Sequence, residues 1–141
     1  MKRKGFTIIE LLIVMAVIAI LVGIAIPSFR GMQIEAWKTK AEGDVRVLKI
    51  ALESHYKNTG AFPAEANYQT TLMGATPRVL EKSLKDPFKT TDDYVYKLST
   101  NGSYYVVFSI GPNATATITG MSDAGSIEGS AGDDIYETNG Y

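Results

Sequence analysis

The sequence contains no cysteine and only one histidine, His55, among its 141 residues. The lack of cysteine excludes disulfides, thiolate zinc sites, a cysteine nucleophile and a lipid anchor attached through cysteine. A single histidine excludes a multi-histidine metal site and leaves His55 as the only base for a catalytic triad. Its neighbours Glu53 and Ser54 point in other directions on a helix, so we expect His55 to be a surface or partly packed residue.

Positive charge is missing from the end of the chain. The totals nearly balance, with 14 Lys+Arg against 15 Asp+Glu, and they give no sign of the basic patch that nucleic-acid binding requires. No Lys or Arg follows Lys97, although this part contains Asp123, Glu128, Asp133, Asp134 and Glu137. Crowded acidic side chains repel one another unless they are solvated, dispersed or bound to a cation.

A long apolar run near the N-terminus predicts a membrane-spanning helix. Residues 2–4 are Lys-Arg-Lys, and the stretch from Phe6 to Phe29 then has one charge, Glu10. As a helix, residues 6–26 measure about 32 Å, close to the hydrocarbon core of about 30 Å. The basic cluster predicts a cytoplasmic N-terminus. A removable secretory signal is disfavoured, because the run continues into more helix and no small-residue cleavage site directly follows.

Helical spacing continues beyond the apolar run. The stripe with steps of three and four consists of Ile34, Trp37, Ala41, Val45, Leu48, Leu52 and Tyr56. Gly60 suits a left-handed C-cap, and Pro63 blocks continuation. We therefore predict one helix from Phe6 to Lys57, with a bend or local melting at Pro27. Trp37 is predicted to be a core side chain, with a subunit contact as the alternative.

The second half of the chain predicts a small antiparallel sheet. Tyr94–Leu98 and Tyr104–Ser109 are rich in aromatic and β-branched residues, and the loop between them contains Asn-Gly. Further expectations are a third strand over Thr115–Thr119, a short helix over Pro77–Leu84 and a loop over Asp123–Gly132. The predicted fold class is α+β, with a long bent N-terminal helix packed on the sheet.

The start of the chain carries a specific motif. Gly5-Phe6-Thr7-Ile8-Ile9-Glu10, after Lys-Arg-Lys, closely resembles the N-terminal signal of type IV pilins and type II secretion pseudopilins. The resemblance implies a pilin-like fold, cleavage between Gly5 and Phe6 by a membrane peptidase, and N-methylation of Phe6. It divides the chain into a cleaved leader (1–5), a transmembrane and assembly helix (6–27) and a periplasmic or extracellular globular domain (28–141).

Glu10 requires its own explanation. A carboxylate in the hydrocarbon region costs roughly 2.5–3.5 kcal/mol, and such a residue is by default a functional one that needs a partner. Cleavage before Phe6 creates an α-amino group that could pair with Glu10 of a neighbouring subunit. The pair would set the axial register of a filament, because a misplaced subunit leaves a charge uncompensated. The alternative is a solvated Glu10 at the membrane surface.

A long apolar helix either stays in lipid as a simple anchor or packs with copies of itself. Ala19 and Gly23 have the spacing of a close helix contact, and a head-to-tail interface repeated with a rise gives an open filament. The motif at Gly5–Glu10 favours a filament. The predicted protein is therefore a structural subunit without enzymatic activity.

Three segments look like those of major pseudopilins: Lys85-Asp86-Pro87-Phe88, Ser109-Ile110-Gly111-Pro112-Asn113 and Gly132-Asp133-Asp134-Ile135. In that family a C-terminal loop binds calcium. The resemblance implies no required cofactor but a Ca²⁺ site formed by the Ile110 carbonyl, Asn113, Asp133 and Asp134, with Asp123 as an additional candidate. A solvated acidic loop is the alternative.

The preferred interpretation is the major pseudopilin of a type II secretion system, which drives protein export. The alternatives are the major pilin of a type IV pilus and, third, a single-span membrane-anchored binding module. The implied partners are copies of the chain in a helical filament, the prepilin peptidase, an inner-membrane assembly platform, minor pilins or pseudopilins, and the lipid bilayer before assembly. The expected location is the bacterial inner membrane, with a single span.

Overall fold

The computed structural model describes residues 5–89 and 92–141. The predicted basic leader therefore lies, apart from Gly5, outside the described residues. The chain divides into two compact units, residues up to Ala36 and residues from Trp37 to Tyr141.

The predicted long helix is confirmed. Helix α1 runs from Ile8 to Thr59 and has the predicted length of 52 residues, with each end two positions later than predicted. It continues through Pro27 without interruption, so the local melting expected there is wrong, whereas a bend at Pro27 stays a prediction. At its C-terminal end Gly60 has φ +79° and donates its N–H to the Tyr56 carbonyl at 2.7 Å. This is the left-handed cap that the sequence predicts.

The first unit is an exposed apolar helix. The side chains from Phe6 to Phe29 are all exposed, including Phe6 at 84% and Ile24 at 70%. In the described part of the chain α1 is the one helix that is long and apolar enough to cross a membrane. Such an exposed apolar surface needs lipid or other helices around it.

In the second unit one face of α1 packs into the core. Ala41, Val45, Leu48 and Leu52 are fully buried and contact a cluster that includes Tyr68, Leu72 and Tyr105. The steps of three and four that predict an amphipathic helix thus identify the buried face correctly.

Two residues of α1 differ from expectation. His55 is buried, with 8% of its surface exposed, because it lies three positions after Leu52 on the buried face. The expectation of a surface or partly packed His55 is therefore wrong. Trp37 remains 37% exposed and places its ring edge-on against Phe88, with centroids 5.8 Å apart. Trp37 thus lies at the margin of the core, and its predicted core position is wrong.

The sheet has more strands than predicted. Strands β1 (Val95–Leu98), β2 (Tyr105–Ser109) and β5 (Ile135–Thr138) form an antiparallel sheet in the order β1-β2-β5, and β3 (Ile118–Met121) pairs with β4 (Ile127–Gly129). The first two strands and their hairpin loop are confirmed. The third strand begins three residues later than Thr115. The predicted loop over Asp123–Gly132 is wrong, because it contains β4.

The predicted helix over Pro77–Leu84 is also wrong. A 3₁₀ turn at Glu65–Asn67 leads instead into helix α2 (Tyr68–Gly74). At Leu84 the backbone N–H donates to Gln69 Oε1 at 2.7 Å, and the carbonyl accepts from Gln69 Nε2 at 2.9 Å. A buried side chain thus satisfies backbone groups that would otherwise favour helical hydrogen bonds.

Buried tyrosine hydroxyls join the layers of the second unit. Burial raises the pKa of Tyr68, Tyr94 and Tyr96 well above the usual value of about 10, and for Tyr94 the hydrogen bond with Asp44 adds to this effect. The hydroxyls therefore stay protonated and act as donors. They donate to the Tyr94 carbonyl, to Asp44 Oδ2 and to the Pro63 carbonyl, at 2.8, 2.9 and 3.1 Å.

Candidate assembly and cation sites

The start of α1 is capped by two side chains in a reciprocal arrangement. The Glu10 N–H donates to Thr7 Oγ1 at 3.3 Å, while the Thr7 N–H and hydroxyl donate to Glu10 Oε2 at 3.5 and 3.4 Å. This is a capping box, with Thr7 as the N-cap and Glu10 at N3. The sequence prediction missed it, although the pattern Thr-x-x-Glu before an apolar run is its usual signal. Glu10 thus has a role within its own chain.

The Glu10 carboxylate makes no ion pair with any of the described residues. Its neighbour Phe6, predicted as the new N-terminal residue, is exposed and precedes the helix. The long hydrogen bonds from Thr7 occupy Oε2 and leave Glu10 Oε1 available. The geometry therefore permits Glu10 to accept a cation from outside the chain while it caps its own helix.

The predicted cleavage point lies in an accessible segment. Gly5, Phe6 and Thr7 are exposed and precede Ile8, where α1 begins. A peptidase requires an extended substrate, and a bond outside the helix meets that requirement without unwinding it. Further along the exposed helix, a Cβ added at Gly23 would meet nothing within 4 Å. The surface at Gly23 is therefore open to the close contact with a neighbouring helix that the Ala19 and Gly23 spacing predicts.

The structure brings together two of the five residues in the predicted calcium site. Asp133 Oδ2 accepts the Asn113 backbone N–H at 3.0 Å, and the Asn113 amide nitrogen contacts Asp133 Oδ1. Gly111, with φ +66°, lies so close that a Cβ there would be 2.2 Å from the Asp133 carbonyl oxygen. Glycine is therefore needed at this position for the two loops to approach each other.

Asp134 lies next to this pair in sequence but is held by other partners. Its Oδ2 accepts from the Thr117 N–H, the Thr117 hydroxyl and the Ile118 N–H, all within 2.9 Å. The side chain is only 7% exposed, and Oδ1 has no hydrogen-bond partner. A buried carboxylate oxygen without a partner is costly and is the kind of group that a cation would satisfy.

The other two predicted ligands are placed differently. Asp123 binds the β1–β2 loop, where its Oδ1 accepts the Asn101 N–H at 2.7 Å. The Ile110 N–H donates to Asp86 Oδ2 at 3.0 Å, so Ile110 is held by the turn that contains Asp86. Among residues 5–89 and 92–141 no group of three or more Asp, Glu, His or Cys side chains could hold a metal. A calcium ion here would therefore depend on carbonyl and amide oxygens.

A buried carboxylate that sequence reasoning did not select connects two loops. Asp86 is 1% exposed and accepts from the Ser109 hydroxyl at 2.7 Å and the N–H groups of Phe88 and Ile110 at 3.0 Å. It thereby fixes the turn after residue 85 to the end of β2. An Asp before a Pro in a loop gives too little sequence signal to predict this role.

Comparison with known proteins supports the motif at the N-terminus. Residues 1–26 match the family model described as the prokaryotic N-terminal methylation motif. The chain is 32% identical over 123 residues to a fimbrial protein of Pseudomonas aeruginosa, which covers 84% of this chain and 75% of that protein.

Other relatives match mainly over shorter lengths. The type IV major pilin protein PilA of Myxococcus xanthus is 36% identical over 66 residues, 47% of this chain and 30% of that protein. The type II secretion system core protein G of Escherichia coli K12 is 31% identical over 62 residues, 44% of this chain and 43% of that protein. No solved structure is significantly similar to the chain.

Proposed function

Because this chain belongs to the type IV pilin and pseudopilin family, we propose that it polymerises into a helical filament at a bacterial inner membrane. The observation that carries the proposal is the exposed apolar part of α1, with Glu10 as its one charge up to Phe29. Packing against copies of itself would cover this surface. The globular second unit would then lie outside the membrane, and the N-terminus on the cytoplasmic side.

Processing of the N-terminus prepares this assembly. Removal of residues 1–5 frees α1 from its basic leader and gives Phe6 an α-amino group that can pair with Glu10 of the next copy. Lipid surrounds the helix before assembly, and neighbouring helices surround it afterwards. The partners that follow are the prepilin peptidase, an assembly platform in the inner membrane and minor subunits of the same filament.

Mass spectrometry of the assembled protein tests the processing. We expect the mature chain to begin at Phe6 and to carry one additional methyl group on its amino nitrogen. A Gly5→Leu variant should keep residues 1–5, because a bulky side chain replaces the residue at the cleavage point, and filaments should be absent. An intact Met1 in assembled wild-type filaments would contradict the proposal.

Between the two systems of this family we propose a type IV pilus. The fimbrial protein of Pseudomonas aeruginosa matches over 123 residues, twice the 62 residues matched by the core protein G of Escherichia coli. The major pseudopilin of type II secretion, preferred from the sequence, remains the second candidate. Its support is the contact between Asn113 and Asp133, which belong to two of the segments that resemble major pseudopilins.

Deletion of the gene distinguishes the two systems. For a type IV pilus we expect loss of surface filaments with unchanged secretion of exoproteins. For a pseudopilus, exoproteins should accumulate in the periplasm while surface filaments remain. If neither changes, the chain is no major subunit of either system.

Calcium binding at the loops around Asp133 is a separate proposal. Its support is the unpartnered buried oxygen of Asp134 and the close approach of Asn113 to Asp133. Calcium takes six to eight oxygen ligands, which carboxylates and carbonyls of glycine-rich loops can supply. To contribute an oxygen, the Asn113 side chain has to turn its amide, because its nitrogen now faces Asp133.

Thermal unfolding of the full chain in detergent tests this site. We expect Ca²⁺ at about 100 times its Kd to stabilise the fold by about 2.7 kcal/mol relative to EGTA, which raises Tm by several degrees. The Asp133→Asn variant should lose the shift, and Asp123→Asn should keep it, because Asp123 binds another loop. An equal Tm with Ca²⁺ and EGTA would contradict calcium binding and would mean that the contact of Asn113 with Asp133 holds the two loops together without an ion.

A further inference from the structure

One surface of the second unit is apolar although it lies outside the core. Val47 and Ile50 are 47% and 68% exposed, and they lie one turn apart on the face of α1 that points away from the buried stripe. A groove of about 260 Å³ separates Val47 from the loop residues Val79 and Leu84. We call this surface the α1 groove; it is lined by Val47, Val79, Leu80, Glu81, Lys82 and Leu84. Ile50, one turn along α1 from Val47, and Arg78, next to Val79 in the chain, lie beside it.

The α1 groove has an excess of positive charge. Lys82 lines the groove, and Arg78 directly precedes its first loop residue, Val79. Both are exposed and form no ion pair with any residue in the described part of the chain, whereas Glu81, also in the lining, contributes one negative charge. Lys85, which follows, is neutralised by Asp93 at 2.7 Å. The groove therefore combines exposed aliphatic side chains with two unpaired cations at its margin.

The opposite charge lies elsewhere on the same unit. Asp123 and Glu128 are exposed on the β3–β4 hairpin and the turn within it, in a part of the chain without Lys or Arg. Neither carboxylate forms an ion pair with the residues that the structure describes. Glu137, another acid after Lys97, differs because Lys49 neutralises it at 2.9 Å. The β3–β4 hairpin is therefore an acidic surface without an internal counterion.

We propose that the α1 groove of one copy receives the β3–β4 hairpin of the next copy in the filament. The proposal rests on the filament function proposed above and adds the contact between globular units. A filament requires a heterologous interface, in which two different surfaces of the same chain are complementary. The positive margin of the groove and the acidic hairpin are complementary in charge and so meet that requirement. Formation of the contact would cover Val47 and Ile50. Charges at the margin would fix the orientation of the contact.

A charge-exchange experiment on the full chain in its own host tests this contact. One variant carries Arg78→Glu and Lys82→Glu, and the other carries Asp123→Lys and Glu128→Lys. Each variant alone should yield less than a tenth of the wild-type filaments, because like charges then face each other. Expressed together, the two should recover at least half of the yield, since a reversed groove accepts a reversed hairpin in alternating order.

Three controls keep the result interpretable. Lys57→Glu changes charge at the end of α1, outside both surfaces, and should assemble normally. Because Asp123 also holds the Asn101 N–H, Glu128→Lys alone serves as a second hairpin variant that leaves this bond intact. Wild-type assembly in the same host tests the filament function separately. Normal assembly of either double variant alone, or no recovery on co-expression, would overturn the proposed contact. That result is expected if an apolar helix of a neighbouring copy, and not its β3–β4 hairpin, occupies the groove.

Discussion

A Glu10→Gln variant should insert into the membrane at least as well as the wild type and yet lose at least nine-tenths of its filaments. Glutamine keeps the size of the side chain and removes the charge, so insertion becomes easier. In the filament, the α-amino group of a neighbouring Phe6 would then lie in an apolar environment without its counterion. Leaving one member of a buried ion pair uncompensated is strongly unfavourable. Filament yield in sheared or purified fractions, normalised to membrane-bound protein, measures the effect.

The capping box provides the matched control for this prediction. Thr7→Val removes the hydroxyl that accepts the Glu10 N–H, while it preserves the shape of residue 7 and the charge of Glu10. Loss of an N-cap typically costs about 0.5–2 kcal/mol of helix stability. If the charge of Glu10 sets the register, Thr7→Val should retain most of the filaments. If the two residues act only as a cap, both variants should reduce assembly to a similar extent, and the register proposal is then wrong.

The features that the sequence predicts correctly are those with local or periodic signals. Helix α1 has its predicted length because its signals are local. Its apolar residues recur at steps of three and four, and the left-handed Gly60 and then Pro63 directly follow its last turn. The β1–β2 hairpin likewise depends on the adjacent Asn101-Gly102 turn, where the Gly102 N–H donates to the Ser99 carbonyl at 2.9 Å. Such signals remain visible without knowledge of the tertiary structure.

The missed elements depend on contacts between distant residues. Strand β5 is stabilised by β2, which it meets through pairs such as Ser109 with Ile135. Strand β4 has only three residues, one of them Gly129 with φ +93°. Strand β4 has little strand propensity of its own, and β5, although it contains Ile135, Tyr136 and Thr138, is only four residues long. Pairing with the neighbouring strand therefore decides the conformation of both segments. The same reason explains α2, where Gln69 reaches across to Leu84.

The predicted sites differ in the same way. Gly5, Phe6 and Glu10 belong to one continuous motif, and the family match covers all three. The five calcium candidates come from three segments, and only Asn113 and Asp133 are in contact. Asp123 and Asp134 lie eleven positions apart and bind different loops. Acidic residues that are close in sequence thus need not share an ion, since each carboxylate is oriented by its own backbone donors.

Asp86→Asn should be among the most destabilising single substitutions in the second unit, by about 2–4 kcal/mol. The carboxylate is buried and accepts from the Ser109 hydroxyl and from the N–H groups of Phe88 and Ile110. An amide of the same shape has only one oxygen, so its NH₂ group must face a donor, and a buried donor loses its partner. Denaturant unfolding of the detergent-solubilised chain gives the difference in the free energy of unfolding.

The matched control for Asp86 is Asp93→Asn, because Asp93 lies seven positions later and is also hydrogen-bonded, to Ser83 at 3.0 Å. Its side chain is 43% exposed and pairs with Lys85 at the surface, so the loss should be below about 1 kcal/mol. The contrast between the two variants separates burial from charge, since both replace one carboxylate by an amide. Equal losses would show that Asp86 acts through its net charge, and the hydrogen-bonded connection between the turn after residue 85 and β2 would then contribute little to stability.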